Sequence, residues 1–477
     1  MDIIDLKAWE MKEKLLNREI SSREILESHL NRVEEVEKDI NAFITINREK
    51  ALLDADIIDK KIKNGEEVGA LAGIPIGVKD NIMTKDLRTT AGSKILEDFI
   101  SPYDATVIKK IKENHGIILG KTNMDEFSMG GTTQSSYFGP TKNPLDNTKV
   151  PGGSSGGSAA AVKSKEVPLS IGSDTGGSIR QPASYCGLVG IKPTYGLVSR
   201  YGLIALSNTL DQIGVFGRDV QDAVLMLNVI SGKDQRDFST MDSKALDIES
   251  LEKVDSLKGI KVALPKEFFL GEMDDRVKAE MDKSINIFKD LGATIEEIDL
   301  PSVKYALETY HIITSGDISS NMARFDGIRY GYRAKDYETL DELYINSRTE
   351  GFGEEVKRRI LFGTYILSGH RGKEYYDKAL KIRTKIIGEF NNVFSKYDII
   401  LSPTSPNLAF NLGEKRSEIY SRNEALFQMP VNLAGLCAIS VPTGNKEGLP
   451  VGLQIIGDRF KEIDIIKAAF AYEGMVK

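Results

Sequence analysis

Cysteine, histidine and tryptophan are scarce in this chain, with 2, 4 and 1 residues among 477. Two thiols cannot build a disulfide framework. Cys186 and Cys437 each lie inside an apolar run and read as buried free thiols of a reducing cytosol. Of the histidines, His29, His115, His311 and His370, the first sits in an amphipathic helical stretch and the second precedes a glycine at a helix end, so both read as structural. The G-x-S-x-G turn that presents a serine to a histidine is missing, which disfavours a Ser-His-Asp hydrolase. There is no excess of basic residues either: the net charge is −7, so a nucleic-acid substrate would need a partner to hold it. No apolar run reaches the roughly 20 residues that span a bilayer. The start, MDIIDLKAWEMKEKL, is amphipathic and carries acids, unlike a signal peptide. A cytoplasmic protein without membrane contact is expected.

What is present is an ordinary globular composition, 41% hydrophobic and 28% charged, on a chain long enough to bury a large core. Residues 1–66 read as helices. Ser21 or Ser22 can cap one in which Leu26, Leu30, Val33 and Val36 keep helical spacing, and the segment is expected to be a helical arm packed on the core. From Ala70 short apolar runs punctuated by glycine, at 71–78, 116–120 and 168–172, predict buried strands of a mixed or parallel sheet. A polar surface excursion at 233–256 precedes a strand, a helix and a strand at 260–264, 274–291 and 293–300. Residues 301–395 read as helical, strands return at 398–403, 438–442 and 451–456, and a last helix runs over 461–472. Late strands returning beside early ones predict one interleaved domain over 67–477.

The stretch 150–182, VPGGSSGGSAAAVKSKEVPLSIGSDTGGSIRQP, sets two serine clusters between glycines, which let a backbone approach a ligand closely. A flexible linker would have the composition of the first cluster, but Pro151 stiffens its entry and Ala159, Ala160, Ala161 and Val162 continue it as a buried helix. A phosphate loop would need a Gly-Lys-Ser/Thr ending; Gly120-Lys121-Thr122 has one, yet Gly116 stands one residue too close for a Walker A loop. A serine nucleophile needs a base, and with histidine scarce the remaining common one is lysine. Lys79 ends the apolar run 74–78 and is followed by Asp80 and Asn81. To act near neutral pH its pKa must fall by about three units from ~10.4, roughly 4 kcal/mol against the ammonium form, which burial can impose.

GIPIGVKD around Lys79, PGGSSGGSAAAV around Ser154 and GSDTGGSIRQPA around Ser178 together resemble the amidase signature family. The segments GKTNMDEFSMG, CGLVGIKPTYGLVSRYGLIALSNTLDQIG, SSNMARFDGIRYGYR, SRTEGFGEEVKRRI and PVNLAGL are similar to its tRNA-dependent amidotransferase A subunits, which serve Glu-tRNA(Gln) or Asp-tRNA(Asn). The resemblance implies an α/β amidase-signature fold, with a large mixed sheet covered by helices on both faces. It implies a glutaminase in which Ser178 attacks the amide, Ser154 follows a cis bond to Gly153 and relays the proton, and a neutral Lys79 receives it. The backbone N–H groups of Thr175, Gly176, Gly177 and Ser178 would form the oxyanion hole. Arg359, with Arg358 as runner-up, would hold the glutamine α-carboxylate, and Ser128 and Tyr310 would line the pocket. No cofactor or metal is implied in this chain. The ammonia would pass to a partner B subunit that carries ATP, Mg²⁺ and the misacylated tRNA, with a small C subunit completing a heterotrimer. One position departs from the pattern: the aspartate that meets the α-amino group would fall at Ala425. Glu424 precedes it, though adjacent helical positions are expected to face differently. That departure opens an alternative, a paralogous or stand-alone amidase for another small amide.

Overall fold

Strands β1 (Phe43–Ile46), β2 (Pro75–Lys79), β3 (Ile117–Thr122), β4 (Leu169–Asp174), β5 (Val189–Lys192), β6 (Gln212–Gly217), β7 (Lys261–Pro265), β8 (Thr294–Ile298), β9 (Ile399–Pro403), β10 (Cys437–Pro442) and β11 (Gly452–Gly457) form one sheet. Their order is β1-β3-β2-β4-β6-β5-β10-β11-β9-β7-β8. This computed structural model describes residues 2–242, 246, 251, 254–414, 418–444 and 448–476; the side chain of His370 and part of the excursion at 233–256 lie outside the described residues. The sheet is mixed: β2 runs parallel to β3 and β4, β7 runs parallel to β8 and β9, and the strands between are antiparallel. Strands β3, β4, β6 and β11 are buried at every residue, as strands are when helices cover both faces of a sheet. Late strand β10 pairs with β5, and β11 lies between β10 and β9.

Three local features differ from expectation. Residues 1–66 contain strand β1 as well as helices, since Phe43-Ile44-Thr45-Ile46 pairs antiparallel with β3; four residues between two helical segments are too short a signal. Strand β2 begins at Pro75 rather than Leu71, because residues 71–74 form a turn closed by Ile74 N–H donating to the Leu71 carbonyl, and proline suits a strand's first position. Strands β5 and β6 escape the pattern, their apolar residues being diluted by glycine.

The N-terminal helices share the main hydrophobic core: Leu6, Met11, Leu26 and Leu30 belong to the same buried cluster as Ile171, Phe216 and Tyr472. Ser21, not Ser22, caps the helix Ser22–Ile40. Its Oγ accepts from Glu24 N–H at 3.1 Å, while Glu24 Oε2 accepts from Ser21 N–H at 2.8 Å. Lys121, the lysine of the Walker-like dipeptide, is buried in β3, where it pairs with Asp80 at 3.4 Å and donates to the Ile82 carbonyl at 2.8 Å; it is a structural cation. What positions the site is the parallel pairing of β2 with β4, which brings the ends of both strands, Lys79 and Asp174, to one edge of the sheet, where ligand sites of α/β folds gather.

Replacing Ser21 by alanine should lower stability by about 1 kcal/mol, the usual worth of an N-cap, without changing hydrolytic activity. Urea denaturation followed by circular dichroism measures this, and an unchanged midpoint would show that the cap contributes nothing to the fold.

Candidate active site

Lys79 closes β2 with no exposed surface. Its Nζ stands 2.7 Å from Ser154 Oγ and 3.0 Å from Ser173 Oγ, with the Ser173 carbonyl at 3.4 Å. Burial pulls its pKa down to about 7, against the attraction of Asp125, Asp174 and Asp211. A neutral amine can accept the Ser154 proton at that distance; an ammonium can only donate. The peptide bond between Gly153 and Ser154 is cis. Gly153 has room for no side chain, because a Cβ there would overlap the Asp125 carboxylate and the Thr132 N–H. Asp125 is itself held by the N–H groups of Thr132 and Thr133, at 3.1 and 2.9 Å.

The turn that carries Ser178 is shaped by one carboxylate. Asp174 Oδ1 accepts from Gly177 N–H at 2.8 Å and Oδ2 from Ile179 N–H at 3.1 Å, while Arg180 Nε and Nη2 bind the two oxygens at 3.1 Å each and Asn432 Nδ2 donates at 2.8 Å. Burial alone would raise the Asp174 pKa, but the Arg180 charge and hydrogen bonds hold it well below the usual carboxylate range. Gly177 has φ +119°, where a Cβ would meet Gln428 at 2.8 Å. Its N–H, expected in the oxyanion hole, is taken by Asp174; the N–H groups of Gly176 and Ser178 have no such partner among the described residues. Thr175 is fixed from below, its Oγ1 donating to Asp211 at 2.6 Å, and burial pushes the Asp211 pKa up to about 6.

Ser178, 8% exposed, borders a cavity of about 360 Å³. Of the residues singled out in the sequence, Ser128, Gly176, Gly177, Tyr310, Arg358 and Arg359 also line it. Ser128 Oγ accepts from Asn81 Nδ2 at 3.1 Å, and the buried Tyr310 ring lies over Gly176, its phenol pushed above the ordinary pKa by burial. The two arginines differ: the Arg359 side chain is 14% exposed and that of Arg358 64%, so Arg359 is the enclosed cation. Both bind Glu355, whose pKa burial would raise but whose arginine partners bring it down to about 2. Ala425 lines the cavity, and so does Glu424 beside it. Neighbours on a helix point 100° apart, yet the longer glutamate side chain reaches the same wall. Sequence reasoning missed Gln181, His311, Glu355 and Gln428 at this cavity. Gln181 and Glu355 stood within quoted segments without being singled out, while His311 and Gln428 lay in helices with no motif to mark them. His29 and His115 are structural as expected, their Nδ1 atoms facing the Lys165 carbonyl at 2.9 Å and the Gly69 N–H at 2.8 Å. Among the described residues no group of three or more His, Cys, Asp or Glu is placed to hold a metal, and no helix is long and apolar enough to cross a membrane.

Residues 24–466 match the Amidase family, and the chain belongs to it; its enzymes cleave amides. The chain is 51% identical over 478 residues to the A subunit of the glutamyl-tRNA(Gln) amidotransferase of Caldanaerobacter subterraneus subsp. tengcongensis, covering 100% of this chain and 98% of that one. It is 49% identical over 480 residues to the protein of the same name from Clostridium botulinum (strain Alaska E43 / Type E3), again covering 100% and 98%. Among solved structures it is similar to the A subunit of the glutamyl-tRNA(Gln) amidotransferase from Thermotoga maritima, with a TM-score of 0.82, 40% identity and coverage of 99% of this chain and 95% of that one. A bacterial aryl acylamidase of the amidase signature family superposes with a TM-score of 0.86 at 27% identity, covering 98% and 96%.

Removing the Asp174 carboxylate would leave Arg180 charged and buried without its partner. Asp174→Ala should therefore destabilise the fold by about 3–5 kcal/mol, read from the shift in urea midpoint. A shift below about 1 kcal/mol, the scale of an exposed pair, would show that Asp174 does not hold this turn.

Proposed function

We propose that this chain is the glutaminase subunit of a tRNA-dependent amidotransferase. The observation that carries the proposal is the buried Lys79 amine 2.7 Å from Ser154 Oγ, with Gly153, the residue before Ser154, lining the same cavity as Ser178 and Arg359. Ser178 Oγ attacks the side-chain amide carbon of glutamine as its proton passes to Ser154 and the Ser154 proton passes to Lys79. The N–H groups of Gly176 and Ser178 meet the oxyanion, with Thr175 and Gly177 shaping the turn. The tetrahedral intermediate then collapses. The proton returns from Lys79 through Ser154 to the departing nitrogen, ammonia leaves, and water hydrolyses the acyl-Ser178 ester by the same route. Arg359 meets the substrate carboxylate, Tyr310 and Ser128 bound its chain, and Glu424 stands where a cationic amino group would be met.

The names of the two relatives and of the Thermotoga maritima structure support the role of this chain in a complex, in which ammonia passes to a B subunit that binds ATP, Mg²⁺ and misacylated Glu-tRNA(Gln), tied to this chain by a C subunit. Ala425, 3% exposed at the cavity wall, favours a second possibility: a paralogous or stand-alone amidase for a small amide without an α-amino group.

Ser178→Ala, purified with its partners, should lose on the order of 10³-fold or more in ammonia release from glutamine. Residual release near the wild-type rate would dismiss Ser178 as nucleophile. Because the neutral form of Lys79 is the active one, hydrolysis should rise with pH and reach half its maximum near the Lys79 pKa of about 7. A pH profile from ammonia assays that stays flat through neutrality, or that falls as pH rises there, would contradict that base. Turnover of an amide lacking the α-amino group in preference to glutamine would select the second possibility.

A further inference from the structure

Gln181 lies three residues beyond Ser178 on the short helix Arg180–Cys186 and is 5% exposed. Its Oε1 accepts from Gly153 N–H at 2.9 Å, and its Nε2 donates to Glu424 Oε1 at 2.5 Å. Chemistry fixes the orientation of this amide. A backbone N–H only donates, so the amide oxygen must face Gly153, and the NH₂ group then meets a carboxylate, which only accepts. Glu424 Oε1 also accepts from Tyr185 Oη at 3.2 Å, so the same short helix grips the carboxylate twice. On another side of Gly153, the Asp125 carboxylate and the Thr132 N–H fill the space a Cβ would need. One side chain thus joins the helix after the nucleophile, the peptide before Ser154, and the helix Glu418–Leu433 that walls the cavity.

We propose that Gln181 is a positioning residue for the proton relay: by holding Gly153 against Glu424 it sets where Ser154 stands relative to Lys79 and Ser178. This rests on those three residues acting as in the proposed function. The relay is then not built by its own loop alone. It is braced from the helix Glu418–Leu433, through a hydrogen bond to a charged group, the stronger kind.

The test follows phosphonylation of Ser178 by a small fluorophosphonate, in which Ser178 Oγ bonds to phosphorus, fluoride leaves and the serine proton goes to Lys79 through Ser154. Labelling is read by intact mass on the purified full chain between about pH 5 and 9, a window that contains the expected base titration. It reports activation of the nucleophile whatever amide the enzyme prefers, so a wrong substrate assignment leaves it unaffected. Gln181→Leu should slow labelling by about tenfold or more and move the acid limb to higher pH, because water admitted beside Lys79 relieves the desolvation that keeps its amine neutral. Gln181→Glu alone sets two carboxylates together and should also slow it. Adding Glu424→Gln exchanges the pair, giving Gly153 a carboxylate acceptor and that carboxylate an amide donor, and should bring the rate back to within about threefold of wild type. Thermal melting identifies which variants are folded. Wild-type rates and pH profiles in folded Gln181→Leu or Gln181→Glu, or slow labelling of Gln181→Glu that the exchange fails to correct, overturn the proposal. A wild-type chain that does not label at Ser178 at any pH overturns the relay itself.

Discussion

The exclusion of water from one amine organises this molecule. Among the described residues Lys79 is one of three lysines with almost no exposed surface, and the others show what burial does under different company. Lys121 donates to the Ile82 carbonyl and to Thr89 Oγ1, and is set apart by the Asp80 carboxylate at 3.4 Å, a partner suited to an ammonium. Lys192 donates to the Pro193 and Leu436 carbonyls, and burial leaves its pKa at about 8. Lys79 instead faces the hydroxyls of Ser154 and Ser173, groups that can give a proton as well as take one. Desolvation brings the amine's pKa down to about 7, so that its neutral form is populated near neutrality.

That environment cannot be assembled locally. The strand ending at Lys79 lies parallel to the strand ending at Asp174, and the pairing places Lys79 and the turn that carries Ser178 at the same end of the sheet. Asp174 is then compensated by Arg180, whose guanidinium reaches Gln454 on β11 at 2.7 Å and Asn432 on the late helix at 2.5 Å. A charged group buried this deeply is tolerable only when every partner is present. The glycine-serine signature in the middle of the chain therefore depends on residues some 250 positions later, which is a physical reason for late strands to return to the sheet's interior.

The substrate side is built from different material. Helices at 306–322 and 354–367 carry Tyr310, His311, Glu355 and Arg359, and the helix at 418–433 carries Glu424, Ala425 and Gln428. Glu355 spaces the two arginines, and only one of them is enclosed. Burial brings the His311 pKa down to about 4, so that ring is neutral beside Arg359 and adds no charge to the wall. The turn that carries Ser178 and the helix at 418–433 are also tied together directly, by Asn432 on Asp174 and by Gln181 on Glu424.

Much of this was legible in the amino-acid order. Periodicity marked β7, the helix after it and β8, as well as the late strands, because these are long or strongly apolar runs bounded by clear breaks. The glycine-flanked serines and the strand-ending Lys79 stood out because close backbone approach and a buried amine leave recognisable residues. Strand β1 and the glycine-diluted β5 and β6 did not, since short pairings draw their stability from neighbours distant in the chain. The site divides the same way. Sequence alone pointed to a kind of chemistry, a glycine-flanked serine with lysine as the remaining base, because residue types and glycine placement can be read directly, and the family resemblance supplied the roles. Only tertiary structure decided that Gly177 gives its N–H to Asp174, that Arg359 rather than Arg358 is enclosed, and that Glu424 and Ala425 share a wall with Gln181. Those outcomes turn on directions of donors and on burial, and both are set by segments that meet in space while remaining far apart in the chain.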